Sequence, residues 1–171
     1  MKKYFLFFLF LIFSNYSYAE EKFVYLDVNF LLTESESGKY INNELNKIND
    51  NNIEEFKKIE NSIKTQEDNL LKQKNILKEE EFNSKLKKLR EKYQSYQELK
   101  KKKNNDLKKL RDDAVNQILK IINDVLTQYS TKNNISLVIE KKNVIIGKTE
   151  LDITKNILNI LNKKIKKVEI N

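Results

Sequence analysis

Leu77-Lys78-Glu79-Glu80-Glu81-Phe82 is the point at which a long apolar stripe changes phase. On its N-terminal side Ile41, Leu45 and Ile48 step by four and three. Phe56, Ile59, Ile63, Leu70 and Leu77 continue at seven-residue spacing, with Gln66 and Gln73 at two of the positions. On its C-terminal side Phe82, Leu86, Leu89, Tyr93 and Tyr96 step four, three, four, three. Leu107, Leu110, Ala114, Ile118, Ile121, Val125 and Tyr129 follow with a spacing closer to an eleven-residue repeat, which straightens a supercoil. Threes and fours are the helical period. The phase shift then has two readings. Either two antiparallel helices meet at a tip near residues 78–81, or one continuous helix of about 90 residues runs for roughly 135 Å.

The chain ends choose between them. Phe23-Val24-Tyr25-Leu26-Asp27-Val28 is short and rich in aromatic and β-branched residues, which reads as a buried strand over about 23–28. Ser136-Leu137-Val138-Ile139-Glu140 reads as a second strand. Asn143-Val144-Ile145-Ile146-Gly147 reads as a third, with Lys141-Lys142 as the turn between them. Asp152 or Thr154 caps a final helix over about 154–164, with Ile157, Leu158, Ile160 and Leu161 on its apolar face. The first strand cannot form a sheet alone, and only a hairpin brings it back to the other two. The expected fold class is therefore α+β: a small β body from the two chain ends plus a long antiparallel α-helical coiled-coil hairpin, the arm. The body takes residues 20–38 and 133–171, and the arm takes 39–132.

The first 19 residues stand apart. Lys2 and Lys3 precede ten consecutive apolar residues, Tyr4 to Phe13, and Ser17-Tyr18-Ala19 supplies small residues before a cut after Ala19. This is the pattern of a cleavable secretory signal, and the run is too short to span a bilayer as a helix.

Composition narrows the chemistry. Among 171 residues there is no His, Cys, Pro or Trp, and only two glycines. Without Cys there is no disulfide, thiolate ligand or thiol nucleophile; without His the commonest general base and metal ligand are missing. Ser37-Gly38-Lys39 lacks the other residues of a phosphate loop. Asp27 with Glu140, and Glu79-Glu80-Glu81, read as solvated or capping carboxylates. Asn134-Ile135-Ser136 is a sequon in an Asn-rich chain and carries little weight. The expectation is a non-enzyme with no catalytic residue, cofactor or metal.

Charge is unevenly placed. Lys85 to Arg111 holds 12 basic and three acidic residues, whereas Ile41 to Ser84 holds seven basic and ten acidic. The returning arm is basic and the outgoing arm acidic, which fits attraction between arms and also a surface for an acidic chain or anionic envelope lipids. Export argues against a nucleic-acid partner, and no aromatic-interleaved basic patch of the base-stacking kind is present. The arm's outward residues Phe56, Phe82, Lys85, Lys87, Lys88, Lys92, Tyr93 and Tyr96 are the candidates for holding a polypeptide. The four-three spacing from Phe82 to Tyr96 favours the seam over client contact for Phe82, Tyr93 and Tyr96 individually. Phe23, Tyr25, Val28, Leu137, Val138, Ile139, Val144 and Ile145 are the candidates for assembling the body, because three short apolar strands cannot bury both faces within one chain.

Phe23 to Asn29, Glu34-Ser35-Glu36-Ser37-Gly38-Lys39, and Leu137-Val138-Ile139-Glu140 followed by Leu151-Asp152-Ile153-Thr154 together resemble the Skp (OmpH-like) family of periplasmic chaperones. Asn and Lys stand here where that family uses Ala, Gln and Arg. The resemblance implies a homotrimer whose β body carries arms around a cavity, and an ATP-independent holdase for unfolded outer-membrane proteins. The competing reading is a structural coiled-coil protein of the envelope that holds no client. Such a spacer would not need the β ends.

Overall fold

The computed structural model describes residues 21–169. The expected signal segment, the expected cut after Ala19 and the last two residues lie outside them.

Strand β1 (Lys22–Leu26) leads into helix α1 (Val28–Glu34), helix α2 (Glu36–Lys72), helix α3 (Glu79–Lys132), strand β2 (Ile135–Glu140) and helix α4 (Thr154–Lys164). Local chemistry sets each boundary. Asp27 caps α1 by accepting from Phe30 N at 2.9 Å, and Ser35 caps α2 by accepting from Gly38 N at 3.1 Å. Gly38 has no alternative here, because a β-carbon would sit 1.9 Å from the Leu32 carbonyl oxygen. At the far end of α3, Asn134 takes φ 51°, a left-handed conformation that Asn tolerates better than most residues, and turns the chain into β2.

The arm is the antiparallel pair α2–α3, with the reversal at residues 73–78. At 1.5 Å per residue, α2 runs about 55 Å and α3 about 80 Å. The longer α3 carries the chain past the start of α2 and back to the body. There β1 and β2 pair in parallel, with Phe23 opposite Leu137, Val24 opposite Val138 and Tyr25 opposite Ile139. Parallel strands need a long crossover connection, and here the arm is that connection.

The third expected strand, 143–147, does not form. A short 3₁₀ turn occupies Lys141–Asn143, closed by Val144 N donating to Lys141 O at 3.0 Å. Lys141-Lys142 lacks the Asn-Gly that a two-residue hairpin favours, and the chain leaves the sheet edge. It is held over the face of the sheet instead: Tyr25 Oη donates to the Lys148 carbonyl at 3.1 Å, and Gly147 packs against the Tyr25 ring. The second neighbour of β1 is the segment before α4, where Ile153 N donates to Tyr25 O at 2.9 Å. Val28, expected at the end of the strand, begins α1 and packs against the core.

The core joins both chain ends to the arm root. Val24, Leu26, Leu31, Ile41, Leu45, Ala114, Ile118, Ile122, Val125, Ile153, Ile157, Leu161 and Val168 are all buried in one cluster. Ile122, outside the narrow stripe, is buried, while Ile121 is only half-buried. In this stretch α3 packs against α4 as well as α2. Ile157 is completely buried, so Ile157→Ala should lower unfolding stability by about 2–5 kcal/mol in denaturant titration.

A second, smaller cluster lies out along the arm: Phe56, Ile63 and Tyr96, with Ile59 and Leu89 against them. Between the clusters the seam is polar. Asn52 is buried there, and the ion pairs Lys103–Glu55 (3.1 Å) and Lys100–Glu60 (3.8 Å) bridge the helices. Such partly exposed pairs contribute about 0–1 kcal/mol each. Amide hydrogen exchange over Lys100–Asp106 should therefore be faster than over Leu110–Val125; equal protection would show that the polar stretch is as tightly held as the core.

Candidate functional site

The arm and the body offer different surfaces. On the arm, the aromatic residues divide. Phe56 and Tyr96 face the seam, with ring centroids 6.0 Å apart in an edge-to-face arrangement at 75°. Lys100 Nζ lies 5.8 Å from the Phe56 ring and 5.7 Å from the Tyr96 ring, completing a cation–aromatic contact with both. Tyr96 Oη donates to Glu60, and that carboxylate, aided by burial and opposed by Lys100, pushes the phenol above its ordinary value. These two rings lock the outer arm together and are not free surface. Phe82 is half-buried near the tip, and Tyr93 is 54% exposed.

The four arm lysines also differ. Lys92 Nζ donates to Ser62 Oγ at 2.8 Å across the seam. Lys85 reaches Gln73 at 3.2 Å and Glu81 at 3.7 Å, and Lys87 lies 4.0 Å from Glu91. Lys88 is exposed beside a groove near the tip that Leu70, Leu89, Gln66 and Asn69 also line. Opposite Lys85, Lys88 and Lys92, α2 and its C-terminal cap Gln73 present Ser62, Gln66, Asn69 and Gln73, which are polar but uncharged. The tip adds Leu71 and Ile76, both strongly exposed, which the sequence reading passed over because they lie off the stripe.

In the body, alternation along the strands separates two faces. Val24 and Leu26 are buried against the helices, and Val138 packs on the same core. Phe23, Tyr25, Leu137 and Ile139 point the other way, with Phe23 45% and Leu137 49% exposed. Val144 is half-buried, while Ile145 and Ile146 project from their loop fully into solvent. Phe23, Leu137, Ile145 and Ile146 are thus apolar side chains of the body that stand largely in water.

Asp152 ties the body together. Its Oδ1 accepts from Thr154 N at 2.9 Å and from the Thr154 hydroxyl, and its Oδ2 pairs with Lys141 Nζ at 2.8 Å. The Thr154 hydroxyl is also the acceptor for Asp27 N at 2.9 Å. Burial raises the Asp152 carboxyl, but the bonds from Lys141 and Thr154 outweigh it and hold the group below its ordinary value of 3.8. A carboxylate depressed in the folded state stabilises the fold above its unfolded value, and that contribution disappears as pH falls through the folded one. The wild-type chain should thus lose stability below about pH 4, and Asp152→Asn should be less stable at neutral pH with a shallower acid limb.

Among the described residues no group of His, Cys, Asp and Glu could hold a metal, and no helix is long and apolar enough to cross a membrane. The geometry defines a class: a helical hairpin arm rooted in a small two-stranded sheet. The sequence profile of the family described as outer membrane protein (OmpH-like) matches residues 22–161, and the chain belongs to the OmpH-like family. Comparison with curated protein sequences returns no match. The chain is similar in fold to the crystal structure of a candidate outer membrane chaperone (OmpH-like) from Caulobacter crescentus CB15. The TM-score is 0.83 at 15% identity, and 90% of each chain is covered.

Proposed function

We propose that this protein is an ATP-independent holdase that keeps unfolded outer-membrane proteins from aggregating in the periplasm. The observation that carries the reading is the family match over residues 22–161, which takes in the arm and both halves of the body. The geometry supports it physically. A holdase needs surface, weak multipoint contacts and no reaction centre, and we read the chain as a non-enzyme. Tyr93, Phe82, Lys85, Lys87 and Lys88 on the arm, together with Leu71 and Ile76 at the tip, mix apolar and cationic contacts suited to an unfolded acidic chain. The same lysines suit anionic envelope lipids. Phe56 and Tyr96 support the arm from inside.

The reading includes export, with removal of the signal after Ala19, and assembly as a homotrimer through the outer face of the sheet and the loop after β2. Leu137 and Ile145 in contact with another copy would cover apolar area that one chain leaves in water. A structural envelope coiled coil would use the same helices, so client protection is the discriminating measurement. Removing residues 60–100 takes Ile63, Leu89 and Tyr96 out of the outer cluster and leaves the core cluster of the body intact. The shortened protein should still assemble, yet fail to suppress aggregation of an unfolded outer-membrane barrel in a light-scattering assay. Undiminished protection by the shortened protein would move the binding site to the body.

A further inference from the structure

The segment that follows α4 does not leave the molecule. Ile165 N donates to Leu161 O at 2.8 Å and closes the helix, and Ile165 itself takes an extended backbone. From there the chain lies along the root of the arm. Asn162 Oδ1 accepts from Glu36 N at 2.9 Å, one of the amides that the first turn of α2 leaves without a helical partner. Lys166 Nζ lies 3.4 Å from the Glu36 carboxylate. Lys167 Nζ sits 5.4 Å from the centre of the Tyr40 ring, one turn further along the same helix. Val168 is buried in the core cluster, and Ile165 packs against it. The Glu169 carbonyl accepts from Gln117 Nε2 of α3 at 3.2 Å.

These contacts fall where α4 itself holds the arm least. The helix packs mainly on α1 and α3. Asn162, Lys166 and Lys167 reach α2 instead, and Glu169 reaches α3, so one short segment spans both helices of the arm. All of it lies beyond the residues 22–161 that the family profile matches. We infer that residues 162–169 are a strap that fixes the direction of the arm relative to the sheet body. Val168 is its one buried anchor. The ion pair and the cation–aromatic contact lie at the surface, where each is weak. The strap therefore opens at small cost, while Ile157 and Leu161 keep α4 seated in the core. Shut, it ties α2 and α3 to α4 together; open, it leaves the root of α2 free to pivot away from α4. This mounting of the arm is independent of what the arm holds.

The test reads arm direction as a distance. The chain contains no cysteine, so Lys74→Cys at the tip and Asn143→Cys in the body place two spin labels uniquely. Labelled chains are diluted among unlabelled ones, so that pulsed electron resonance reports only the distance within one chain. The otherwise unchanged chain should give one narrow distance peak. Ending the chain after Lys164, or the single change Val168→Ser, should replace it with a broad distribution. Val168→Ser keeps every other strap contact available and decides the point even if the shortened chain fails to fold. Val24→Ala is the control, because it empties part of the same core without touching the strap. Its peak should stay narrow although its stability falls. A narrow peak in Val168→Ser overturns the strap, and so does a broad peak in the chain that keeps it. Equal broadening in Val24→Ala would show general loosening of the core and would overturn it as well.

Discussion

The parallel pairing of β1 with β2 is the contact on which everything else depends. Two strands separated by the whole arm must lie side by side and point the same way. That condition selects the hairpin over a rod. It also requires α3 to outrun α2, so that the returning chain arrives beside β1 instead of stopping level with Glu36. Once the strands are paired, Val24 and Leu26 present an apolar face that α1, the root of α3 and α4 cover. Remove the pairing and the arm remains a two-helix seam with one narrow stripe, too little apolar surface to hold a core by itself.

The arm's interior is discontinuous for a reason visible in side-chain chemistry. The core cluster ends near Leu45 and Leu107, and the outer cluster begins at Phe56 and Tyr96. Between them Asn52 is buried on one helix and Glu55 pairs with Lys103 on the other. A buried Asn in a coiled-coil seam gives up stability and fixes register. The Lys103–Glu55 contact acts in the same sense, since a slipped register would set lysines against Lys57 or Lys58. The polar stretch thus aligns the helices where packing is weakest. Lys100 belongs to both regimes, ion-paired to Glu60 and resting on two aromatic rings.

Much of the fold was legible because periodicity is a backbone property. The hairpin, the convergence of the ends and the final helix follow from where apolar residues recur, whereas the parallel direction of the pairing does not. Counting outward from a tip near residues 78–79 sets Lys103 beside Glu54 and Glu55, as the Lys103–Glu55 pair shows, but does not foresee Lys100 against Glu60. The segment 143–147 was not legible in this way. Val144, Ile145 and Ile146 have strong strand propensity, but propensity cannot report the Tyr25 hydroxyl and the close approach at Gly147 that lift the segment off the sheet edge. The aromatics of the arm show a related ambiguity. Phe56, Tyr93 and Tyr96 have similar sequence surroundings, yet two are sealed inside and one stands out, because the exact facing of a helix pair decides it. Asp152 or Thr154 was read as a cap; the bond of Asp152 to Lys141 depends on a 3₁₀ turn at Lys141–Asn143, where the sequence suggested a hairpin turn.

Placing both halves of the sheet at opposite ends of the chain also orders events in time. Helical hairpins form quickly from local contacts, whereas a pairing across the whole chain waits on closure of a very large loop. As the polypeptide emerges N-terminus first, β1 is free long before β2 exists to meet it. The arm must zip before the body can close, and α4, which seals Leu31 with Ile157 and Leu161, comes last of all. A chain cut short anywhere before Ile135 keeps a sticky strand and never acquires its partner.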